Sequence, residues 1–137
     1  MDYELIDIYG DVGIRAFGGD CAEAWVNAGI GMYGLITDLK KIGGEKALDI
    51  EVSSETPEGL LVKYLNELIF HFDTYNFIGK SIEVMEFNEV SIRAKVHGDE
   101  FDPRRHEQRL LLKAATYHNI KVKKSGDGCE VEVIFDI

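Results

Sequence analysis

Thr56-Pro57-Glu58-Gly59-Leu60-Leu61-Val62-Lys63-Tyr64-Leu65-Asn66-Glu67-Leu68-Ile69-Phe70-His71-Phe72 carries both the start signal and the periodicity of an α-helix. Thr56 is a natural N-cap, its hydroxyl free to accept a backbone N–H. Pro57 occupies the first helical position, where its missing N–H leaves nothing unpaired. Leu61, Tyr64, Leu65, Leu68, Ile69 and Phe72 recur at three- and four-residue steps, so one face is apolar to about residue 73. On either side the period falls to two. Leu48, Ile50 and Val52 alternate with Asp49, Glu51 and Ser53 as a half-buried strand. Residues 78–87 and 90–96 form two more strands joined near Asn88-Glu89.

The same pattern extends to both ends of the chain. Residues 3–8 form a short apolar strand bounded by Gly10. Val12, Ile14 and Ala16 then fall at period two around Arg15, after a Gly10-Asp11 corner. Gly18-Gly19 ends that strand, and Asp20 caps a first helix, with Glu23 placed for a reciprocal capping pair. Trp25, Ala28, Gly29, Met32 and Ile36 make its apolar face. Glycines 29, 31 and 34 cost that helix roughly 0.5–1 kcal/mol each relative to Ala, which implies close packing against a neighbour. Residues 38–44 are a polar loop. His97-Gly98-Asp99-Glu100 closes the central strand pair, and Pro103 prevents immediate resumption. Residues 109–117 are ambiguous, since Leu110-Leu111-Leu112-Lys113-Ala114-Ala115 has helix propensity. The chain ends in a hairpin: residues 120–123, the turn Ser125-Gly126-Asp127-Gly128, and a last strand 129–137. In that strand Val131, Val133, Phe135 and Ile137 alternate with Glu130, Glu132, Ile134 and Asp136. Strands, helix, strand, helix, then mainly strands predict an α+β fold, two helices packed on mostly antiparallel β-sheet, as a single domain over 1–137.

Charge narrows the function classes. Asp and Glu outnumber Lys and Arg 25 to 15, giving a net charge of −10. Arg104-Arg105 and residues 121–124 are too short as basic clusters to grip a phosphate backbone, so little direct nucleic-acid binding is expected. An acidic surface suits a divalent cation or a basic partner, and it also serves plain solubility. No apolar run approaches the ~18 residues of a membrane span, and Met1-Asp2-Tyr3-Glu4 lacks a basic leader region. Cys21 and Cys129 lie far apart and form no CxxC pair. They are expected to be reduced and buried as small apolar residues, which points to the cytoplasm. Phosphate-cradling glycine motifs, H-E-x-x-H and G-x-S-x-G are absent, and His71, His97, His106 and His118 are scattered.

The placement of carboxylates at element ends is more specific. Asp11 sits in the tight Gly10-Asp11-Val12-Gly13 corner, and Asp136 precedes the terminal Ile137. An Asp beside a terminal α-carboxylate offers several hard oxygens, the ligand type that Ca²⁺ and Mg²⁺ require. The competing reading is equally simple: Asp in a glycine-rich corner forms turns, and a terminal Asp faces water.

Four blocks bear on this choice. They are Asp7-Ile8-Tyr9-Gly10-Asp11-Val12-Gly13-Ile14-Arg15-Ala16-Phe17-Gly18, then Ala28-Gly29-Ile30-Gly31-Met32-Tyr33-Gly34-Leu35-Ile36-Thr37-Asp38, then Leu60 to Leu68, then Lys113-Ala114-Ala115-Thr116-Tyr117-His118. With the Phe135-Asp136-Ile137 terminus they resemble the archease family across nearly the whole chain. That family's first signature runs roughly [ED]-H-T-A-D-V-G-[IL]-x-[AV]-x-G.

The resemblance implies a small acidic protein that does no chemistry itself. It would activate a GTP-dependent tRNA-splicing RNA ligase, promoting ligase guanylylation and repeated turnover, with GTP used by the partner. It further implies a bound divalent metal, Ca²⁺ or Mg²⁺, with Asp11, Asp136 and the α-carboxylate of Ile137 as ligands. Lys113 and His118 become candidate functional contacts, and strand is favoured over helix at 113–118. Ile8 stands where the family usually has His, and Tyr9-Gly10 where it has Thr-Ala. Other readings are a stand-alone divalent-metal-dependent hydrolase, with His118 as base, and a chaperone of a tRNA-modifying enzyme.

Overall fold

The computed structural model describes residues 2–8, with Ile8 by its backbone alone, and residues 10–137. The elements are β1 (Tyr3–Ile8), β2 (Asp11–Gly18), α1 (Cys21–Ile36), β3 (Lys46–Ser53), α2 (Pro57–Tyr75), β4 (Phe77–Asn88), β5 (Ser91–Glu100), β6 (Ala114–Ala115), β7 (Lys121–Ser125) and β8 (Gly128–Asp136). A short 3-10 turn, Leu39–Lys41, lies in the predicted polar loop.

Both helices begin where capping chemistry places them. The Asp20 carboxylate accepts the Glu23 N–H at 2.9 Å, and the Glu23 carboxylate accepts the Gly19 N–H at 3.3 Å. These contacts occupy backbone donors that α1 would otherwise leave unpaired. Thr56 Oγ1 accepts the Gly59 N–H at 3.0 Å to start α2, and Asn76, left-handed at φ 61°, closes it.

The strands form two sheets, antiparallel at every pairing. In the five-stranded sheet β1 pairs β2 and β2 pairs β8. The other edge of β8 is shared, with β7 along its first half and β6 at its end. The three-stranded sheet runs β3-β5-β4. α1 packs on β2, β8 and β4, and α2 on β3 and β6, so the helices join the two sheets. Ile14, Val131, Val133 and Phe135 from one sheet share a core with Ile50, Ile78, Ala94 and Val96 from the other, and with Trp25, Met32, Leu61, Leu65 and Leu68. The α+β expectation holds.

Two glycines of α1 show why the helix tolerates them. A Cβ on Gly29 would lie 2.5 Å from Tyr64 Oη and 2.7 Å from Ile82 Cδ1, and one on Gly31 would lie 2.9 Å from the Tyr3 ring. Tyr64 cannot retreat, because it is fully buried and its hydroxyl donates to the Trp25 carbonyl at 2.8 Å. Burial also pushes its phenol well above the usual tyrosine range. Gly29→Ala should therefore destabilise by about 1–2 kcal/mol, because overpacking outweighs the gain in helix propensity. Urea unfolding measures this, and a stabilised variant would contradict the close approach.

The ambiguity at residues 109–117 resolves to an extended segment, with Ala114–Ala115 in strand as the resemblance implies. Its start is held by the end of α1: the N–H groups of Arg109 and Leu110 donate to Ile36 O at 2.9 Å and Leu35 O at 3.0 Å. The Arg109 guanidinium adds bonds to Gly34 O at 3.0 Å and Thr37 O at 3.4 Å. Orphan carbonyls of α1 thus recruit this backbone, overriding its helix propensity. The expectation that Cys21 and Cys129 are reduced is corrected. They are joined in a disulfide, with Cα atoms 5.0 Å apart across a separation of 108 residues. Gly18 pairs with Cys129 in the β2–β8 ladder, and the turn after Gly18 brings the first residue of α1 over that position.

Candidate functional site

The two Asp residues singled out in the sequence lie at the same end of the five-stranded sheet. The β2–β8 ladder ends at the Val12–Phe135 pair, and Asp11 and Asp136 stand one residue beyond it on the two strands. By the alternation of the pleat they fall on the same face. That face is the outer one. Val12, Ile14, Phe135 and Val133 point to the core, while Asp11, Arg15, Glu132 and Asp136 alternate outward. β6 flanks the other side, with Ala114 opposite Asp136 and the Lys113 N–H donating to the Asp136 carbonyl at 2.8 Å. His118, a few residues on, brings Nε2 to 3.8 Å from Asp11 Oδ2.

Charge is distributed unevenly along this face. One stretch inward, Arg15 Nε donates to Glu132 at 2.6 Å and its guanidinium also binds Glu4, while Lys121 lies 3.7 Å from Glu132. The bonds to Glu132, then to Glu4, raise the Arg15 pKa further. Those carboxylates are neutralised. At the sheet end, Asp11 has only His118 as an ionic partner, and Asp136 has none among the described residues. Two adjacent carboxylates without a permanent cation are what a mobile cation or a basic partner would neutralise.

The donors fit a hard divalent cation in kind: carboxylate oxygens from Asp11 and Asp136, and a terminal carboxylate on Ile137, a residue 50% exposed. No group of three His, Cys, Asp or Glu side chains among the described residues forms a ready ligand shell. Asp11, His118 and Asp136 therefore do not by themselves form one. The edge is open, with the side chains of Asp11 and His118 51% and 62% exposed. A cleft of about 540 Å³, lined by Gly19, Asp20, Phe87, Asn88 and Lys124, lies instead by Gly128, at the opposite end of β8.

All five singled-out residues, Asp11, Lys113, His118, Asp136 and Ile137, thus belong to one end of one sheet. The Ile8 side chain and Tyr9, which differ from the family signature, lie outside the described residues. Sequence reasoning passed over Asn66, whose side chain bonds both the N–H and the carbonyl of Ala115. Its only mark in sequence is a short polar residue beside the apolar stripe of α2.

Comparison with known proteins bears on the family and the fold. Residues 3–137 match the Archease protein family (MTH1598/TM1083). Protein archease of Methanosarcina acetivorans is 31% identical, over 98% of this chain and 95% of its own length. Protein archease of Sulfurisphaera tokodaii is 27% identical, over 98% of both chains. In structure, protein 1598 of Methanobacterium thermoautotrophicum superposes with a TM-score of 0.81 at 26% identity, covering 99% of each chain. A Thermotoga maritima protein described as an archease and possible chaperone shares the fold, with a TM-score of 0.63 at 18% identity over 98% and 96% of the two chains. Alignment from the first strand to the terminal carboxylate, with the same fold throughout, makes this chain a member of the archease family.

Proposed function

We propose that this archease is a non-catalytic, cation-dependent activator of a GTP-dependent tRNA-splicing RNA ligase. The observation that supports the reading is the approach of His118 Nε2 to Asp11 Oδ2 at 3.8 Å, at the end of β2 that lies beside the end of β8 carrying Asp136. Asp11, Asp136 and the α-carboxylate of Ile137 would hold a Ca²⁺ or Mg²⁺ ion. When bound, the ion supplies positive charge and alignment for attack on the α-phosphate of GTP in the partner's active site. The chain's own residues present the carboxylates on an open edge, and Lys113 and His118 contact the partner. A single domain over 1–137 acting in the cytoplasm belongs to the same proposal, although the Cys21–Cys129 disulfide removes the reduced-cysteine argument for that compartment. No helix among the described residues is long and apolar enough to cross a membrane.

A chaperone role toward a tRNA-modifying enzyme is the second reading, favoured by the description of the Thermotoga maritima relative as a possible chaperone. The terminus separates the two. Appending residues after Ile137 turns a charged α-carboxylate into a neutral amide at a half-exposed end, with little effect on folding. The extended protein should bind Ca²⁺ about tenfold or more weakly and lose stimulation of ligase guanylylation to match. Equal stimulation by native and extended protein would remove the terminus from the mechanism.

A further inference from the structure

Asn66 is a short polar side chain in the middle of α2, an interior position that helices fill more favourably with other residues. It is half-buried, and its amide is paired on both sides with one residue. Oδ1 accepts the Ala115 N–H at 2.8 Å, and Nδ2 donates to the Ala115 carbonyl at 3.2 Å. The side chain therefore acts as the missing neighbour strand of β6. On the other edge, β6 is held by β8 through Lys113 N to Asp136 O at 2.8 Å and Thr116 N to Ile134 O at 3.0 Å.

Lys113 and His118 bracket this clamp. From Ala115 the path to His118 is short. Thr116 Oγ1 donates to Ile134 O at 2.9 Å and accepts the His118 N–H at 3.2 Å, and the imidazole of His118 faces Asp11. A two-residue strand has too few ladder bonds to hold its own position, so the second edge matters.

We propose that Asn66 is the positioning residue of the acidic edge. By bonding both backbone groups of Ala115, it holds residues 113–118 where Lys113 and His118 flank the Asp11–Asp136 pair, and so keeps the edge competent to engage its partner. The inference rests on the ligase-activator reading.

The test compares wild type with Asn66→Ala, and with Asn66→Gln, which keeps both amide groups on a longer stem. Three quantities are measured: thermal melting, hydrogen exchange of the Ala115 amide in the free protein, and ligase guanylylation against activator concentration. In folded Asn66→Ala, Ala115 should exchange about tenfold faster, the equivalent of one lost hydrogen bond. The half-saturating activator concentration should rise by the inverse of the competent fraction that remains, about twofold when half the molecules keep the segment in place, with the plateau rate unchanged. Asn66→Gln should recover part of both effects, and it carries the test if Asn66→Ala melts below the assay temperature. A purely structural role would lower melting while leaving the half-saturating concentration unmoved.

Wild-type exchange at Ala115 in a folded variant overturns the clamp. Faster exchange with wild-type half-saturation overturns its link to function. Wild-type protein that fails to stimulate the ligase overturns the activator reading itself, and this inference with it, before any variant is compared.

Discussion

Asp11→Ala and Asp136→Ala will each abolish stimulation of ligase guanylylation and weaken Ca²⁺ or Mg²⁺ binding by on the order of tenfold to a hundredfold. Neither variant should lose stability. Asp11 and Asp136 project from the outer face, away from the core cluster, so truncation opens no cavity of the kind that costs ~2–5 kcal/mol. Without a cation the two carboxylates repel, and removing one relieves a like-charge cross-strand pair worth roughly 0.2–1 kcal/mol. Melting temperatures equal to or slightly above wild type, together with lost stimulation, would mark a pair kept for function rather than for folding. Guanylylation assays with GTP and a divalent ion, run beside calorimetric cation titration and thermal melts, measure all three. Full stimulation by Asp136→Ala would sink the carboxylate site. Phosphoester hydrolysis by the isolated protein, lost in Asp11→Ala, would favour the hydrolase instead.

Reducing the Cys21–Cys129 disulfide will lower the melting temperature by about 10 °C. The cross-link closes a separation of 108 residues. In the chain-entropy account loops of that size gain close to the maximum, and measured values of about 2–4 kcal/mol correspond to a shift of this order. The position adds to the effect, because the bond ties the first turn of α1 to the start of β8, the strand that β2, β6 and β7 all pair with. Melts with and without a phosphine reductant, with thiol counting, provide the measurement. The paired Cys21→Ala, Cys129→Ala variant should melt at the reduced value and ignore the reductant. Identical melting of oxidised and fully reduced protein would show that the bond does not hold the fold.

Much of the architecture was legible from local chemistry. Thr56-Pro57 and Asp20 with Glu23 announced the helix starts, because an N-cap is satisfied by residues three or four positions away. Alternation at Leu48–Val52 and Val131–Phe135 announced strands with one buried face, because a pleat turns successive side chains to opposite sides. The grouping of Asp11, Lys113, His118, Asp136 and Ile137 as one candidate site came only through resemblance to a family. No local pattern links residue 11 to residue 136.

What the tertiary structure alone decided is pairing at long range. It set β2 against β8, bringing Asp11 and Asp136 to the same end of one sheet, and joined Cys21 to Cys129 across 108 residues. It also turned residues 109–117 away from helix, by giving their N–H groups to the open end of α1 and to Asn66. Short-range order was written in the chain because caps and periodicity act within a few residues. Contacts between distant segments follow from which sheet edges and helix ends remain unsatisfied once the core is packed, and that is a property of the whole molecule.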